Sequence, residues 1–129
     1  MKDIYHSNQA PSAIGPYSQA CGYGDLIFCS GQIALGANGE SYLDRSVEEQ
    51  CEIALNNMKH VLEASGASLE TVLKVSIFLL DMADFSAVNE VYKNFFDAKP
   101  PARACVAVSG LPKGAKIELE CIAVKADAE

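Results

Sequence analysis

Arg103 lies in the stretch KPPARACVAV, residues 99–108, and two glutamates, Glu118 and Glu120, lie in KIELECIAVK, residues 116–125. A guanidinium keeps its charge in a protein and is costly to bury without a partner. A carboxylate can take a proton from water or return one. Together these groups make either an ion pair or a site. As an ion pair, Arg103 and a glutamate would tie neighbouring strands or subunits. As a site, the planar fork of Arg103 would grip a small organic acid by its carboxylate while a glutamate moves protons. Ala102, Ala104 and Cys105 are small enough to leave room for such a ligand.

A second group of candidates precedes them. AIGPYSQA, residues 13–20, sets a Gly-Pro turn before Tyr17. The turn fixes the backbone and aims a phenol, either into packing at a strand start or towards a ligand. CSGQIAL, residues 29–35, puts Ser30 and Gly31 inside an apolar strand. Glycine there marks a bulge, a subunit contact or the close approach of a ligand. Asn89 falls at the edge of a helix's apolar face, where it is solvated, bonded to a loop, or part of a site. Cys105 carries a nucleophile's chemistry, but neither His6 nor His60 is placed by the sequence to activate it, so it reads as a small core residue. No GxSxG, HExxH or Walker motif is present, which leaves the common hydrolase and nucleotide-binding readings unsupported.

The elements that must hold these residues follow from periodicity. YSQACGYGDLIFCSGQIAL reads as two strands around a Gly-Tyr-Gly-Asp turn. Ser46 to Ser65 is the clearest helix, with Ser46 and Glu49 as a capping box and Gly66 as its stop. Val47, Cys51, Ala54, Leu55, Met58, Val61 and Leu62 form its apolar stripe. Thr71 to Leu80 is a buried strand. Asp84 to Asp97 is a second helix with Phe85, Val88, Val91, Tyr92, Phe95 and Phe96 inward, and Pro100 and Pro101 forbid its continuation. Ala102 to Val108 and Lys116 to Lys125 are further strands. The order β-β-α-β-α-β-β predicts one sheet with two helices on one face.

Alternation along the last two strands assigns their faces. Arg103, Cys105 and Ala107 share one side, opposite Ala102, Ala104, Val106 and Val108. Ile117, Leu119, Cys121 and Ala123 form an apolar side, opposite Glu118 and Glu120. Residues 26–33 and 75–80 are apolar on both sides, so the sheet face without helices is expected to be covered by another subunit.

Composition narrows the function further. The chain has 129 residues, a hydrophobic fraction of 50%, and a net charge of −7 with no basic run. Binding to nucleic acid through phosphate neutralisation needs the opposite balance. No segment reaches the length of an apolar membrane span, and the first residues lack a signal-peptide core. The five cysteines form no CxxC pair and no ligand-like spacing with a histidine. They predict reduced thiols in a cytoplasmic protein and no metal site.

Four stretches in order, GPYSQ, SGQI, PPARACV and LPKGAKIELE, resemble the RidA/YjgF family of enamine/imine deaminases, and the likeness runs nearly end to end. The resemblance implies a single RidA-like domain over residues 1–129. It also implies a chorismate-mutase-like α+β fold, a mixed β-sheet with two helices on one face, and a homotrimer whose sheets form a barrel. The site would lie between subunits, and 2-imino acids would be hydrolysed there to 2-keto acids and ammonia with no cofactor. By the same resemblance Arg103, Glu118 and Tyr17 are the catalytic residues. Arg103 binds the carboxylate, Glu118 activates water, and Tyr17 stands at the cleft mouth. Ser30, Gly31, Asn89 and Cys105 contact substrate, and Glu120 is structural. Three other readings compete: a trimeric binder of 2-keto acids without turnover, a chaperone-like trimer acting through its surface, and a ribonuclease or translation inhibitor. The last is opposed by the acidic charge.

Overall fold

The computed structural model describes residues 1–96 and 98–126. They build one six-stranded mixed sheet and a single helix layer. The strands are β1 (Asp3–Tyr5), β2 (Ala20–Tyr23), β3 (Leu26–Gln32), β4 (Val72–Leu79), β5 (Ala102–Ala107) and β6 (Ile117–Val124), in the sheet order β1-β2-β3-β6-β4-β5. Only β4 and β5 run parallel, joined by a helical crossover. Strand β1 was not anticipated. Its three residues are too few to show a period, and its pairing with β2 defines it.

Helix α1 spans Val47–Ala64, capped by Ser46, whose Oγ accepts from the Glu49 backbone N–H at 3.2 Å. Glu49 reaches Arg45 and the Ser46 hydroxyl, so the capping box is made on its serine side. Gly66 at φ +83° supplies the left-handed residue that ends the helix. The expected stripe is the buried face: Cys51, Ala54, Leu55, Met58, Val61 and Leu62 are fully buried against Ile27, Val75, Ile77, Leu119 and Ala123 of the sheet.

Helix α2 is Phe85–Tyr92, shorter than the periodicity suggested. Beyond Tyr92 the backbone tightens, with the N–H of Asn94 and Phe95 donating three residues back to Val91 and Tyr92. Asp97, the expected end of the helix, lies outside the described residues.

Among the described residues no helix covers the opposite face of the sheet. Leu26, Phe28 and Val106 stand exposed there, Phe28 at 46%. Strand β5 departs from what its composition suggests. Its sequence looks like core, but it forms a sheet edge where only Cys105 is partly buried.

Three buried amides tie the loops to this frame. Gln19 accepts from the Ser7 N–H at 2.6 Å and donates to the carbonyls of Ser7 and Pro11. Asn57 on α1 donates to the carbonyls of Ile33 and Leu35. Gln50 donates to Leu43 and Arg45 and accepts from the N–H of Lys116, just before β6. Each amide satisfies backbone groups that no strand or helix pairs. Replacing Gln19 by leucine leaves three such groups unpaired. The expected cost is about 2–3 kcal/mol in urea denaturation, with amide exchange rising first between residues 7 and 17.

Candidate active site

The helix-free face and the loops pinned by the amides enclose a cavity of about 570 Å³. Its polar lining includes Tyr17, Ser30, Gln32, Lys113, Glu118 and Glu120, and Pro11, Ile14 and Ile33 supply apolar wall. Tyr17 reaches it from the turn at Gly15, where φ is +115° and the Tyr17 N–H donates back to the Gly15 carbonyl at 2.9 Å. The residue is 55% exposed, at the rim.

Ser30 and Gly31 occupy the irregular part of β3, where its register against β6 shifts between Cys29 and Gln32. The Ser30 hydroxyl donates to the Ser18 carbonyl at 2.6 Å, so its proton holds the Tyr17 loop in place. Gly31 leaves room for the Glu118 carboxyl in its present position. A Cβ at position 31 would lie 2.8 Å from Glu118 Cδ, too close for any side chain there unless the carboxyl moves. The glutamate lies flat over the glycine and is partly buried. That burial, and then the charge of Glu120, hold the Glu118 carboxyl above its ordinary value of 4.5. A carboxyl in this state can both accept and return a proton.

Arg103 is elsewhere. Strand register places it beside Val75 on the helix side, whereas Glu118 and Glu120 lie beside Phe78 and Ser76 on the open side. Arg103 Nη1 donates to Asn89 Oδ1 at 2.6 Å, and the guanidinium carbon lies 5.0 Å from the Tyr92 ring centre and 5.4 Å from that of Phe85. Each such cation–π contact stabilises by about 0.5–1 kcal/mol at an exposed site. Among the described residues Arg103 makes no ion pair, so the structure does not support an Arg103–glutamate bridge within the chain.

Arg103 lines a separate cavity of about 360 Å³ with Asn89, Tyr92, Lys93 and Pro101. Cys105 lies next but one along β5. Burial raises its thiol pKa and the Arg103 charge only partly offsets this, which is the opposite of an activated nucleophile. Among the described residues no three His, Cys, Asp or Glu side chains could hold a metal ion together.

The sequence candidates thus separate, with Tyr17, Ser30, Gly31 and Glu118 in one cavity, Arg103 and Asn89 in the other, and Cys105 two residues along β5 from Arg103. Sequence reasoning passed over Lys113, which enters the first cavity from a left-handed residue at φ +55°. The Pro-Lys-Gly turn was its only signal. It also took Phe85 and Tyr92 for core residues alone.

This is an α+β protein with one helix layer, an open sheet face, and its sequence candidates divided between separate cavities. The family model described as Endoribonuclease L-PSP matches residues 7–125, and the chain belongs to that family, the RidA/YjgF family. The chain is 46% identical over 122 residues to Reactive Intermediate Deaminase A, chloroplastic, of Arabidopsis thaliana, an alignment covering 95% of this chain and 65% of that longer protein. The crystal structure of Escherichia coli TdcF with bound serine superposes with a TM-score of 0.91 at 40% identity, over 96% of this chain and 99% of that one. The Escherichia coli YjgF crystal structure gives 0.90 at 38% identity, with the same coverage of both chains. No helix among the described residues is long and apolar enough to cross a membrane.

The packing of Glu118 over Gly31 has a direct test. In Gly31→Ala the carboxyl must leave its place and meet water. Its titration midpoint, followed by carbon-13 NMR of the labelled carboxyl, is expected to fall back towards 4.5.

Proposed function

We propose that this chain hydrolyses reactive enamines and imines, of the 2-aminoacrylate and 2-iminobutyrate type, to 2-keto acids and ammonia. The observation that carries this reading is the state of the two key groups. Among the described residues Arg103 has no ion-pair partner on its exposed edge, and Glu118 is held in a cavity with its carboxyl above the ordinary range. The first suits an incoming carboxylate and the second suits proton transfer to and from water. The relatives named as reactive intermediate deaminases support it, as does the neighbour whose crystal structure holds serine, itself a 2-amino acid.

The chemistry asks little of the protein. An iminium carbon is already electrophilic. Glu118 accepts a proton as water adds to that carbon, giving a tetrahedral carbinolamine. Glu118 returns that proton to the nitrogen, the C–N bond breaks and ammonia leaves, and the hydroxyl gives its own proton to Glu118 as it becomes the keto oxygen. Arg103 holds the carboxylate so that the carbon faces the water. Tyr17 and Ser30 border the reacting group in this scheme, and the backbone at Cys105 helps to hold the substrate.

Since Arg103 and Glu118 lie on opposite sides of one sheet, a complete site is proposed to form between two copies. The assembly is a homotrimer whose open sheet faces meet, which would cover Leu26, Phe28 and Val106. The five free thiols support a reducing compartment, with the cytoplasm as the proposed setting, although the plant relative is named chloroplastic.

The experiment is release of 2-keto acid from 2-iminobutyrate generated in situ. Wild type should accelerate it, and Arg103→Ala should lower kcat/KM by roughly 30- to 1000-fold. Glu118→Ala should lower it by about 10²- to 10⁴-fold. Mixing and reassembling the two variants should restore part of the activity, because mixed trimers regain a site, whereas a site built within one chain would stay dead. No acceleration by an assembled wild type would move the reading to a 2-keto acid binder.

The acid limb of kcat/KM offers a second check. Glu120 raises the Glu118 pKa, so removing its charge in Glu120→Gln lowers that pKa, and the limb moves to lower pH.

A further inference from the structure

Phe85, Asn89 and Tyr92 stand at i, i+4 and i+7 of α2, one stripe of the helix. Arg103 from β5 lies against that stripe, bonded to Asn89 Oδ1 at 2.6 Å with the two rings 5.4 and 5.0 Å away. All three partners are neutral. The other charges of this cavity, Lys93 and Glu90, cancel each other at 2.8 Å. Among the described residues Arg103 therefore supplies the cavity's uncompensated charge.

The arrangement differs from the usual way of holding an arginine. A carboxylate partner would orient the fork more strongly, but it would also occupy it. An amide oxygen and two ring faces fix the plane of the guanidinium and leave its charge available. The Tyr92 hydroxyl sharpens the point. It is buried with no hydrogen-bond partner among the described residues, so it contributes nothing to the contact, and the ring alone faces Arg103.

We infer that Phe85, Asn89 and Tyr92 form a charge-neutral cradle for Arg103. They are positioning residues that aim the guanidinium without consuming its charge, and so set the affinity for the substrate carboxylate. This assigns Asn89 a role through Arg103 in place of the substrate contact expected from the sequence. It rests on the proposal above that Arg103 takes that carboxylate.

Asn89→Asp is the decisive variant, because it preserves shape and adds only charge. The probe is 2-oxobutyrate, a carboxylate that is not turned over, with binding measured by calorimetry on the assembled protein. The new carboxylate pairs with Arg103. The expected result is a melting temperature equal to or above wild type together with at least about tenfold weaker binding. A merely structural asparagine would show no such opposition between stability and affinity.

Tyr92→Leu and Phe85→Leu should also weaken binding, and Tyr92→Phe, which keeps the ring, should recover the affinity. The Arg103 Nε–H proton resonance reports the cradle independently of binding. It should lie upfield from ring currents in wild type and Tyr92→Phe and return downfield in Tyr92→Leu. Wild-type affinity in Asn89→Asp, with binding abolished in Arg103→Ala, overturns the cradle and leaves the carboxylate reading standing. Undiminished binding in Arg103→Ala overturns the carboxylate reading itself.

Discussion

Side chains on a strand alternate between the two sides of a sheet, and this constraint governs how the molecule can act. Arg103 falls on the helix side and Glu118 on the open side, with β4 between their strands. No rotamer brings them together through a packed sheet. On the reading proposed above, the chain carries two half-sites on opposite sides of one sheet. One is a glutamate laid over a glycine, and the other is an arginine aimed by a helix. In the proposed assembly the β5 edge of one molecule reaches the open-face cavity of another, and the bare apolar sheet face provides a reason for the copies to meet.

The local work is done by groups that are easy to overlook. Gln19, Gln50 and Asn57 are buried polar residues whose purpose is backbone satisfaction. Yet the segments they hold, 7–11, 33–35 and the start of β6, form or adjoin the walls of the larger cavity. Stability and site geometry are thus carried by the same hydrogen bonds, so these loops cannot drift without cost to the fold.

Much of this was readable from the residues. The stripe from Val47 to Leu62, the alternation that sets Glu118 against Leu119, and the glycine at 31 each follow from spacing alone. The short strand β1 was not readable, because three residues show no period and only a partner defines them. Nor was the fate of Arg103. Its strand looks like core by composition, but its place at the edge follows from the parallel pairing of β5 with β4, a long-range fact. The same applies to Phe85 and Tyr92. Their inward spacing was visible, and the arrival of a guanidinium on that stripe was not.

The contact between Gly31 and Glu118 also imposes an order on history. Every residue other than glycine at 31 collides with the carboxyl at 118 unless that carboxyl moves. A lineage that first loses the glutamate is freed to explore larger residues at 31. One that first loses the glycine displaces the carboxyl at once and must repair or abandon it. Descendants with a different chemistry in this cleft are therefore expected to have changed position 118 before position 31, and a larger residue at 31 should mark a cleft whose glutamate has already been replaced or moved.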